Sequence, residues 1–194
     1  DGTFALLTGT ARAAVPLGPE RVRHVQALIA AKGGTARTTI QLLVRALSAK
    51  DSRIRHDATL ALARRRDLTD HRAIVSAPLE HTLQQHWRTS RSHGHLIVDP
   101  IASALVTATA RLQSPVLAQL CAATLTASEP SHPTLFRLAV SGATLLPGAT
   151  LIPVLAPHWQ RAPDSARARA TLLFARLRPD AASRAWLAHL IKSG

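Results

Sequence analysis

Methionine and tyrosine are missing from this 194-residue chain, and all its aromatic residues together make up 3% of it. A β-sandwich or barrel fills its core with aromatic and β-branched residues. Here Val, Ile and Thr are scattered among Ala, Leu and Arg, which are good helix formers, so composition points to helix. A chain without Met cannot start at an initiator codon as written, and the expectation is a processed protein or a fragment. Organelle transit peptides are Arg-rich, poor in acidic residues and cleaved, so a mature imported protein beginning near Asp1 fits this pattern. The single cysteine, Cys121, excludes an intramolecular disulfide framework and is compatible with a reducing interior. It sits in the apolar run Val116 to Ala123, which predicts core packing rather than catalysis.

Lysine and acidic residues are also scarce. Lys32, Lys50 and Lys192 are the only lysines, so the 24 basic residues against 11 acidic ones are almost all arginine, with a formal net charge of +13. Guanidinium groups grip phosphate in bidentate fashion and stack on bases, which points to a nucleic-acid partner; a GC-rich genome would also raise the Arg content. The charge is segregated. Residues 1–98 carry 15 basic and 7 acidic side chains, residues 99–160 carry 2 and 2, and residues 161–194 carry 7 and 2. Helices so bare of charge are expected to be covered, by neighbouring subunits of an assembly or by a membrane. The longest uncharged run, Leu138 to Gln160, has 23 residues, but Pro147, Gly148, Pro153 and Pro157 break it into two short helices, so no transmembrane segment is predicted.

Motifs for chemistry are wanting. Gly33-Gly34 is followed by Thr35-Ala36-Arg37 and lacks the phosphate-loop lysine, so it reads as a helix stop. Of the 10 histidines, His81 and His86 lie five apart, about 140° around a helix, and neither they nor His93 and His95 gain the Cys or carboxylate partners of a metal site. The carboxylates of Asp51, Asp70, Asp99, Asp164 and Asp180 stand where helix caps are needed. No enzyme activity, cofactor, metal or small-molecule substrate is therefore expected.

Helix starts recur with a period. Pro100, Pro115, Pro133, Pro147, Pro163 and Pro179 each stand at or just before a predicted helix start, where a missing N–H costs nothing. Alternate starts lie 33 and 30 residues apart in one series and 32 and 32 in the other. Earlier helices are predicted over Pro19–Lys32, Thr35–Ala49 and Asp51–Arg66, with another beginning near Thr69-Asp70. A fixed period of this size marks stacked helical hairpins. The expected fold is all-α: a right-handed or curved stack of about five antiparallel hairpins, an α-solenoid forming a single domain over 1–194. Within it, 77–98 is expected to be an inserted or irregular loop region, because Arg88 to His95 is rich in Ser, Gly, His and Arg, and 99–160 forms the charge-poor central helices.

The stretch Thr38 to Arg65, with Asp51 capping a second helix, Ile54-Arg55 after it and Ala58 and Ala61-Leu62 on an inward stripe, resembles a HEAT repeat. A weaker copy covers 164–177, where Ala170-Thr171-Leu172 and Ala175-Arg176 echo Ala58-Thr59-Leu60 and Ala63-Arg64. The observed period is shorter than the HEAT period of about 40, which leaves tetratricopeptide-like and pentatricopeptide-like repeats open. The resemblance implies a scaffold, of the kind found in organellar ribosomes, that presents helix faces to a protein or RNA.

These readings converge on a structural subunit of a mitochondrial ribosome or other organellar ribonucleoprotein in the matrix. It would contact RNA, rRNA above all, through Arg-rich ends and neighbouring protein subunits through its middle. The candidate RNA-binding residues are Arg53, Arg55, Arg64, Arg65, Arg66, Arg72, Arg88 and Arg91 in the first part, and Arg167, Arg169, Arg176 and Arg178 near the end. The last four lie off the apolar stripe Ala166, Ala170, Leu173, Phe174 and Leu177 and are expected to point outward. The alternative is a protein-only scaffold or accessory subunit of an organelle membrane complex.

Overall fold

A computed structural model of the chain describes residues 35–93, 100–128, 133–177 and 180–193. The described residues form an all-α structure without a strand. Helix α1 spans Ala36–Ala46, α2 Ser52–Arg64, and a 3-10 turn, Thr69–His71, leads into α3, Arg72–His93. Then follow α4 (Pro100–Arg111), α5 (Pro115–Leu125), α6 (Pro133–Leu145), α7 (Gly148–Arg161), α8 (Asp164–Leu177) and α9 (Ala181–Ser193). The helix expected over Pro19–Lys32 lies outside the described residues.

Local chemistry sets the boundaries. Thr35, extended at φ −81° and ψ 164°, accepts the Thr38 N–H on its hydroxyl at 3.2 Å and starts α1. Ser114 does the same for Leu117 at 3.2 Å, with Pro115 as the first residue of α5. The Asp180 carboxylate accepts the Ser183 N–H at 2.8 Å ahead of α9. Pro100 and Pro133 likewise open α4 and α6, while Pro147 and Pro163 stand one residue before α7 and α8.

The chain divides into two compact units, Asp1–Thr82 and Leu83–Gly194. In the first, α1 packs on α2, and Ile40, Leu43, Ala46, Ile54, Ala58, Leu62 and Leu68 are buried. The division falls within α3, which corrects the expected irregular region 77–98: the chain is helical through His93, and 94–98 lie outside the described residues. Val75, Leu79, Leu83 and Trp87 recur every four residues along α3, and all are buried. That stripe holds the helix despite Pro78, whose missing N–H leaves only the Ile74 carbonyl without its helical donor. The polar run after Trp87 continues a helix already anchored.

In the second unit α5 packs against α4, α6, α7 and α8; α4 also meets α6, α7 meets α8 and α9, and α8 meets α9. Helix α5 buries Leu117, Ala118, Cys121, Ala122, Thr124 and Leu125. It crosses α6 closely at Gly142, where an added Cβ would stand 2.7 Å from the Cys121 sulfur and 3.1 Å from Leu117 Cδ1. Burial pushes the Cys121 thiol up to about 12, which leaves it protonated and unreactive. At the far end, Trp186 of α9 meets Trp159 of α7 and Phe174 of α8 edge to face, with centroids 6.1 and 5.3 Å apart.

Candidate nucleic-acid and protein contact surfaces

Of the candidate arginines in the first unit, Arg64, Arg66 and Arg72 are exposed around the turn between α2 and α3. Arg65 and Arg55 are engaged by the fold. Arg65 makes a bidentate pair with Asp67, Nε to Oδ1 at 2.8 Å and Nη2 to Oδ2 at 2.5 Å, and this contact holds the Asp67 carboxyl below its usual range. Arg55 donates through Nη1 to the carbonyls of Ala49 and Lys50, each at 2.7 Å, closing the turn between α1 and α2. The side chain of Arg53 lies outside the described residues.

In the second unit Arg88 and Arg176 are exposed, whereas the side chain of Arg91 and the whole of Arg178 lie outside the described residues. The outward orientation expected of Arg169 is corrected. Its Nη2 donates to the Ala127 carbonyl at 3.0 Å and its guanidinium lies 5.6 Å from the Phe136 ring centroid, so it ties α8 to the residues just past α5 and to α6. Carbonyls left over at a helix C-terminus and the face of an aromatic ring both attract a cation, and together they outcompete solvent. Arg167 is partly exposed, paired with Asp164 and placed 5.4 Å over the Trp159 ring.

The charge-poor helices owe much of their character to one another. Ala102, Leu105, Val106, Ala108, Ala139, Ala143, Leu151 and Leu155 join the α5 residues in a shared core, which accounts for an uncharged sequence without a partner. One face of α5 is left uncovered by this core. Val116, Gln119, Leu120 and Ala123 line a groove of about 540 Å³ with Val154, Pro157, His158 and Arg161 of α7 and Gln84 of α3. An adjoining hollow of about 200 Å³ shares Gln84, Leu120 and Ala123 and adds Trp87, Arg88 and Thr124. The Trp87 indole N–H donates to the Thr124 hydroxyl at 3.2 Å and fixes the α3 side of that hollow. Sequence reading missed the groove. Its signal was the spacing i, i+3, i+4, i+7 from Val116 on α5 and again from Val154 on α7.

Among the described residues no group of three or more His, Cys, Asp or Glu could hold a metal ion, and no helix is long and apolar enough to cross a membrane. No protein-family model, curated protein or solved structure matches this chain.

Proposed function

We propose that the chain is a non-catalytic structural subunit of a mitochondrial ribosome or other organellar ribonucleoprotein, touching RNA through exposed arginines and neighbouring subunits through its charge-poor helices. The observation that carries the RNA contact is the exposed group Arg64, Arg66 and Arg72, set around one turn whose Asp67 is already held by Arg65. Exposed guanidinium groups around one turn suit a phosphate backbone, and among the described residues no aromatic ring is fully exposed, which disfavours base stacking. In this reading the fold is a stack of antiparallel hairpins related to HEAT or tetratricopeptide repeats. Support comes from the packing of alternate helices, α4 with α6, α5 with α7 and α7 with α9, which is how stacked hairpins bury their faces.

The groove-bearing, weakly charged face of α5 and α7 favours the alternative, a protein-only scaffold or accessory subunit of an organelle membrane complex. Gradient sedimentation of the tagged endogenous protein, with and without ribonuclease, separates the two. A large particle containing ribosomal RNA that shifts on digestion is the expected result. Migration alone or in an RNA-free complex rejects the ribonucleoprotein reading in favour of the scaffold.

A further inference from the structure

We infer that the groove between α3, α5 and α7 is a docking site for an acidic amphipathic segment of a partner protein. The inference rests on the reading of the charge-poor helices as a protein contact and adds the place and the partner's chemistry. The floor is apolar, formed by Val116, Leu120 and Ala123 of α5 with Val154 and Pro157 of α7. Among the described residues its charged lining is one-sided: Arg161 and, in the adjoining hollow, Arg88 are cations, His158 stands beside them, and no carboxylate lines either part. Gln84 and Gln119 add side-chain amides that can donate to or accept from a backbone.

A segment with apolar side chains at i, i+3, i+4 and i+7 would cover the floor while a carboxylate of it meets Arg161. RNA fits this place poorly. The floor offers aliphatic side chains where nucleic acid needs ring faces or a denser row of cations, and Trp87 is buried, only 3% exposed.

The test uses the full chain and a fluorescein-labelled peptide of about 15 residues, long enough to form a helix, with Leu at i, i+3, i+4 and i+7 and Glu elsewhere. Its counterpart with Lys for Glu and a uridine-rich single-stranded RNA are run beside it. The Glu peptide is expected to bind, to weaken as salt rises, and to lose about tenfold in affinity in Arg161→Glu and again in Gln119→Glu. Both substituted residues are exposed, so the variants fold. Arg137→Glu, exposed on α6 and outside the groove, leaves peptide binding unchanged. Absence of peptide binding, equal binding of the Lys peptide, indifference to Arg161→Glu, or displacement of the peptide by RNA overturns the inference. A chain that binds RNA but not the peptide loses the groove and keeps the RNA contact. A chain that binds the peptide but not RNA keeps the groove and loses the ribonucleoprotein reading.

Discussion

Gly142 shows how much one missing methyl group can matter at the residue scale. An alanine there would gain helix propensity of about 1 kcal/mol, but its Cβ would meet the Cys121 sulfur at 2.7 Å in a crossing with no slack. Gly142→Ala should therefore lower stability by about 1 to 2 kcal/mol in urea unfolding, as overpacking usually does. In a Cys121→Ala background the sulfur is gone and the same substitution should become neutral or stabilising. A loss of equal size in both backgrounds would place the cost elsewhere, which the double-mutant cycle reads directly. Residue scale is also where the sequence was least legible. Composition marks every arginine as a candidate for RNA, yet Arg55 closes a turn, Arg65 is taken by Asp67 and Arg169 reaches a carbonyl 42 positions away. The Arg65-Asp67 neighbourhood could have been noticed in the sequence. Nothing local announces that Ala127 lies beside Arg169, because that distance is created only when α8 packs near the end of α5.

Among the elements, those bounded by a cap or a proline were legible, because Thr35, Ser114, Pro115 and Asp180 act within one turn of where they stand. Helix α3 was the exception, since its C-terminal third has the composition of a loop and it carries an interior proline. What decides its state is the buried series Val75, Leu79, Leu83 and Trp87, whose side chains contribute more to holding the helix than the polar residues after them detract. Two experiments follow from that stripe. Backbone amides of 89–92 should exchange with deuterium more slowly than exposed coil amides in the native chain, and Leu83→Ala should abolish that protection while costing about 2 to 5 kcal/mol. Exchange of 89–92 at coil rates in the unmodified chain would return this segment to the irregular region the composition describes.

For the whole molecule, the charge asymmetry was plain in the sequence, but its meaning was not. An uncharged stretch predicts that something covers those helices, and α5 demonstrates that sister helices supply much of the cover; among the described residues, the face with Val116, Gln119, Leu120 and Ala123 lies outside that shared core. Net charge is equally silent about where each cation sits, and among the described first-unit candidates Arg64, Arg66 and Arg72 are the exposed ones. Replacing these three together by Glu should reduce RNA affinity and lower the steepness of its salt dependence by about 2, the change expected when three phosphate contacts to a single strand are lost. Circular dichroism should show the fold intact, since all three side chains are exposed. Arg55→Ala gives the opposite signature: removing the donor to Ala49 and Lys50 should loosen the turn between α1 and α2 and lower thermal stability while leaving the salt slope of RNA binding unchanged. If instead the triple variant kept its full salt slope and Arg55→Ala lost it, exposure would be the wrong criterion for choosing RNA contacts in this chain, and the charge segregation would reflect composition rather than recognition.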